Sequence, residues 1–206
     1  MPGPRFGRRT AILGTATLLA RPAVAQRSWP EGRPIEIIVP FAPAGGMDAI
    51  TQLFEPCVTQ KRRPETTTLA HEGLRIARAA LMKCHEEGGN ALAREQMSLV
   101  SMLGGVCLAN SGLGMAHGIA AGLGALFDVP HGLACGILLP HAIRYNRAAC
   151  ADELALAITA FLNQPRASAG AIDEGIAVIN ELNSRLGIPR DLKHLHLKDD
   201  DLKKLA

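Results

Sequence analysis

From Gln96 to Ile143 the chain carries one formal charge, Asp128, in a run dominated by alanine, glycine, leucine and methionine. Such a run can form membrane-spanning helices, or helices of a bundle that approach closely through small side chains. Gly114, Gly118 and Gly122 recur every four residues, as glycines at helix contacts do. Asn110, Ser111, His117 and the break at Asp128-Val129-Pro130-His131 interrupt the run and argue against a span. The expectation is a buried hairpin of Ala/Gly-rich helices and no stable membrane span. Aromatic residues make up 3% of the sequence, which suits helix contact through small side chains.

Helical periodicity also surrounds this run. In PETTTLAHEGLRIARAALMKCHEEGG, positions 69, 73, 76, 77, 80, 81 and 84 form one apolar or small stripe, with Pro64 near its start and Gly88-Gly89 at its end. Further helices are expected from Met47 onward and at about 91–109, 130–145, 152–163 and 168–186, the last closed by Gly187 with Pro189 beyond it. Ile35 to Phe41 is a β-branched run bounded by Pro34, Pro40 and Pro43, and no second run is present to pair with it. The fold class expected is therefore mainly α, preceded by one orphan β-strand.

With 206 residues the chain has room for one domain with a real core. A net charge of +3 without an interleaved basic and aromatic stripe gives no footprint for nucleic acid. The five cysteines, Cys57, Cys84, Cys107, Cys135 and Cys150, are an odd number without CxxC spacing and read as small core residues of a reduced protein. Residues 1–25 point to the opposite compartment. MPGPRFGRR is a basic segment, TAILGTATLLA an apolar one, and Ala23-Val24-Ala25 precedes Gln26 as a cleavage site would, the pattern of a signal peptide. Cleavage after Ala25 would make the protein exported or periplasmic.

Several polar side chains stand where the pattern expects burial. Asp48 and Gln52 are four apart, on one helix face. His117 lies inside GLGMAHGIAAGLG, and His131 follows the Asp128-Val129-Pro130 break. One carboxylate, one amide and two imidazoles on three helices could hold a divalent metal. Taken singly, each also has a structural explanation: a helix-dipole acid for Asp48, a hydrogen-bonded core histidine for His117, a turn residue for His131. His194-Leu195-His196 reads as a solvated pair in a polar tail.

GMDAITQLFEP, the helix after it, and GLGMAHGIAAGLGALFDVPHGLACGILLPHAIRYN together resemble the metal-binding helical domain of the iron-dependent (group III) alcohol dehydrogenases, of dehydroquinate synthase-like fold. The resemblance covers residues 46–206 and implies a metal held by Asp48, by the position of Gln52, and by His117 and His131. Two positions depart from the family: Gln52 stands where histidine is usual, and Ala121 where many members have a further active-site histidine. The implied activity is NAD(P)-linked oxidoreduction of a small alcohol or aldehyde, with Fe2+ or Zn2+ as cofactor, no catalytic group beyond the metal ligands, a homo-oligomer possible, and a cytoplasmic location in place of the exported one that the leader suggests. The family binds NAD(P) in an amino-terminal α/β domain with a glycine-rich loop, and nothing here corresponds to that loop. Residues 8–46, with WPEGRPIEIIVPFAPAGG, resemble instead the start of periplasmic solute-binding receptors of tripartite tricarboxylate transporters. The domain order expected is a leader (1–25), a receptor-like strand and glycine turn (26–45) and a truncated helical domain (46–206). Its activity is expected to be impaired; the alternatives are a non-catalytic metal-binding domain or a fragment of a carboxylate-binding receptor.

Overall fold

The computed structural model describes residues 43–193, 198, 200 and 201. The leader, the Ile35–Phe41 run and the His194/His196 pair lie outside the described residues. Among the described residues seven α-helices follow one another: α1 Pro43–Val58, α2 Pro64–Glu86, α3 Ala91–Ser111, α4 Met115–Phe127, α5 His131–Asn146, α6 Ala151–Phe161 and α7 Ala171–Arg185. The described residues contain no strand.

α1 is the central element. It packs against α2, α3, α4, α5 and α6, and Met47, Ile50, Leu53 and Cys57 have no exposed surface. Its start departs from the sequence expectation, in which the receptor-like strand and glycine turn run to residue 45. Pro43 opens the helix, where a fixed φ and a missing N–H are tolerated, and Gly45-Gly46 form its first turns. Gly46 is there for close packing: a Cβ on it would lie 2.3 Å from Leu81 Cδ1 on α2. The glycine that reads as a turn signal is thus the contact point of two helices.

Local signals set the other boundaries. Pro64 stands in the first turn of α2, and Asn90 caps α3 by accepting the Ala93 N–H at 3.1 Å. Asp128 ends α4 in the left-handed conformation, φ 55°, and Gly187 follows α7 at φ 71°. The large core is formed mainly by α1, α2, α3, α6 and α7, with Phe54 meeting Phe161 edge-on at a centroid distance of 5.4 Å. A smaller apolar cluster of Ala120, Leu123, Val129, Ala134 and Cys135 joins α4 to α5.

Within the low-charge run the helices that pack together are α4 and α5, joined by the break at Asp128-Val129-Pro130, and not α3 and α4. α3 and α4 bend away from one another by 100°; α3 lies on α1 and α2, and α4 on α5. Nor is the run wholly buried, since Leu99, Met102 and Val106 on α3 and Leu126 on α4 are exposed. Among the described residues α3 packs mainly on α1 and α2, and these four side chains lie outside those contacts. No single described helix is long and apolar enough to cross a membrane. All five cysteines are free, with Cys57, Cys107 and Cys135 buried.

Candidate metal centre

Asp48, Gln52 and Glu55 fall at i, i+4 and i+7 of α1, so they share one face. That face meets the start of α4, whose first turn lacks a side-chain cap of its own because Gly114 occupies the cap position. Glu55 supplies the cap from α1. Its carboxylate accepts the N–H of Gly114 at 2.8 Å and that of Ala116 at 2.6 Å, so a negative charge sits at the positive end of the α4 dipole. A Cβ at Gly114 would lie 2.9 Å from Glu55 Oε1, so glycine makes the approach possible.

The same carboxylate fixes His117. Glu55 Oε2 is 2.7 Å from His117 Nδ1, while His117 Nε2 on the far side of the ring is 3.0 Å from Asp48 Oδ1. His117 is 4% exposed. Burial alone would lower its pKa, but the hydrogen bonds it donates to Asp48, Cys135 and Glu55 outweigh it and push the imidazole up to about 11. Asp48 responds in the complementary sense: burial opposes its charge, yet the His117 hydrogen bond and the charges of His117 and His131 hold its carboxyl below the ordinary range.

His131 enters from the first residue of α5, placed there by the turn at Asp128-Val129-Pro130. Its Nε2 lies 3.5 Å from the same Asp48 Oδ1, and its ring centroid is 5.5 Å from that of His117. The His131 side chain is 46% exposed against 4% for His117, so the cluster opens to solvent on the His131 side. One helical turn on, Cys135 brings its Sγ to 3.5 Å from His131 Nε2. Burial pushes the Cys135 thiol up. One ligand atom from each of Asp48, His117, His131 and Cys135 lies within 4.8 Å of the others.

Of the four expected ligands, Asp48, His117 and His131 converge on one point. Gln52 stands beside them with its amide N–H donating to Asp48 Oδ2 at 3.2 Å and its Oε1 toward Gly104. An amide oxygen turned toward a carboxylate oxygen at that distance would be repelled, so the donor is the group that belongs there. Two members of the site escaped sequence reasoning. Glu55 was legible in principle, three residues after Gln52 on the same face, and Cys135 was legible as the residue four after His131.

The donor set suits a divalent cation. Three nitrogen and oxygen donors from three helices meet at one point, and Glu55 takes the other nitrogen of the buried imidazole, as carboxylates behind metal-bound histidines do.

Comparison with known proteins identifies the class. Residues 42–206 match the Fe-containing alcohol dehydrogenase family, C-terminal, and the chain belongs to that family. Among curated relatives, 1,3-propanediol dehydrogenase of Citrobacter freundii is 34% identical over 170 residues, covering 81% of this chain and 44% of the relative. NADPH-dependent butanol dehydrogenase of Clostridium saccharobutylicum is 32% identical, covering 77% of this chain and 40% of the relative. Among solved structures, an alcohol dehydrogenase from Oenococcus oeni superposes with a TM-score of 0.73 at 30% identity, covering 79% of this chain and 43% of that one. The chain thus spans less than half the length of these relatives. The likeness of residues 8–46 to transporter receptors finds no support in these comparisons. The family match already begins at residue 42, and residues 43–46 are the first turns of α1.

Proposed function

We propose that residues 43–193 form the metal-centre half of an NAD(P)-linked alcohol or aldehyde oxidoreductase, with Asp48, His117 and His131 as ligands to a divalent cation, Fe2+ or Zn2+. The observation that carries this reading is the convergence of Asp48 Oδ1 with the Nε2 atoms of two histidines, at 3.0 and 3.5 Å, on the face of α1 that Glu55 backs. A cation held there supplies a Lewis acid for the oxygen of a small alcohol or aldehyde. Glu55 keeps the His117 ring in one orientation by occupying Nδ1. Gln52 holds Asp48 Oδ2 and so leaves Oδ1 facing the two imidazoles. The exposed His131 edge is the side from which substrate approaches.

The nicotinamide would be bound by polypeptide other than the described helices. The test is alcohol-dependent NAD(P)+ reduction by the full chain with added Fe2+ or Zn2+. Reduction above a metal-free control that disappears in Asp48→Ala supports the oxidoreductase. Stoichiometric metal uptake without turnover selects the second reading, a non-catalytic metal-binding domain, which the same donor geometry favours. Absence of both uptake and turnover overturns both readings.

A further inference from the structure

Resting on the metal reading above, we infer that Cys135 is the fourth ligand, so that this chain holds its cation in an Asp/His/His/Cys set. The family resemblance puts a ligand at position 52 instead, and the geometry there is unfavourable. The Gln52 N–H group faces Asp48 and its oxygen faces Gly104, where an added Cβ would come within 3.0 Å of it. Turning that oxygen to a cation would break the Gln52–Asp48 hydrogen bond.

Cys135 needs no such rearrangement. It lies one turn beyond His131 on the same face of α5, and its Sγ is 3.5 Å from His131 Nε2. Tetrahedral bonds to nitrogen, oxygen and sulfur place neighbouring donors about 3.3–3.7 Å apart. The separations of Asp48 Oδ1 from His117 and His131 and of Cys135 Sγ from His131 are 3.0, 3.5 and 3.5 Å, and all four donors lie within 4.8 Å. On coordination the Cys135 thiol would lose its proton to solvent and bind as the thiolate. A sulfur donor shifts the preference from ferrous iron toward zinc-like ions.

Cobalt(II) is the probe, added under reducing, oxygen-free conditions to full-length chain stripped with a chelator. The expected result is one cobalt per chain, visible d–d bands of four-coordinate strength, and a near-ultraviolet thiolate-to-cobalt charge-transfer band. Cys135→Ser should lose that band and weaken cobalt binding by an order of magnitude or more. Cys84→Ser, on α2 away from the cluster, and Gln52→Ala should both keep it. Cys135→Ala, checked for native helicity by circular dichroism, separates lost ligation from lost folding. Stoichiometric d–d bands without the charge-transfer band in the unmutated chain would leave the metal centre standing and make Cys135 a packing residue, overturning the inference. No cobalt uptake would overturn the metal reading and the inference together.

Discussion

The two faces of α1 are held by different physics. Met47, Ile50, Leu53, Phe54 and Cys57 on one side enter the large core, fully or almost fully buried. On the other, Asp48 and Glu55 reach α4 through hydrogen bonds and Gln52 donates back to Asp48, backed by a small apolar cluster. Burial of apolar area is indifferent to protons and ions, whereas the polar face depends on both. The fold therefore rests on apolar burial on one side of the helix and on hydrogen-bonded polar groups on the other.

The largest effect should come from the apolar face. Phe54→Ala removes a fully buried ring and its contact with Phe161, and should cost about 3–5 kcal/mol in denaturant unfolding, felt across the whole domain. Glu55→Gln should cost about 2–3 kcal/mol, because a buried acceptor of two backbone N–H groups and one imidazole loses its charge. Hydrogen exchange distinguishes the two variants: Glu55→Gln should expose amides of α4 first, Phe54→Ala all core helices together. Uniform loss in both would erase the contrast between the faces.

A third test uses pH. In the metal-free chain His117 is raised from 6.5 to about 11, so its contribution to stability is whole below pH 6.5 and declines as pH rises toward 11. Asp48 is lowered from 3.8, so its contribution is present above that value and disappears as pH falls through the lowered one. Saturating metal should remove the alkaline decline, because the cation takes the place of the Nε2 proton, and binding near pH 8 should release protons detectable as a buffer-dependent calorimetric enthalpy. The smallest effect should be at the surface. Arg147→Ala breaks a bidentate pair with Asp173, both exposed, and should cost about 0–1 kcal/mol with no change in metal binding.

The apolar face was the more legible of the two in sequence. Apolar spacing located α2, α3, α5, α6 and α7 to within a few residues, because burial imposes a period that any helix in a core must show. What spacing could not reveal was which helices meet. The run from Gln96 to Ile143 reads as a buried hairpin, yet α3 and α4 diverge, since the direction of a chain after Gly112 depends on neighbours far away in sequence. Gly46 misled for a related reason: a glycine in a turn and a glycine under Leu81 look alike until the second helix is in place. The site was legible where residue type and resemblance agreed, at Asp48, His117 and His131. Glu55 and Cys135 were hidden because their roles come from partners on other helices, although each lies one helical step from a residue already singled out.

The central claim is that the polar face of α1 is a divalent-cation site. The most direct measurement is metal stoichiometry and thermal stability of the purified full chain, stripped and then titrated with Zn2+, beside an Asp48→Ala variant. One ion should bind per chain and, at a hundred times the Kd, add about 2.7 kcal/mol of stability, a rise in Tm of roughly 5–10 °C. Both should be absent in Asp48→Ala. An unmutated chain that binds no metal, or whose Tm responds no differently from that of the variant, would contradict the claim.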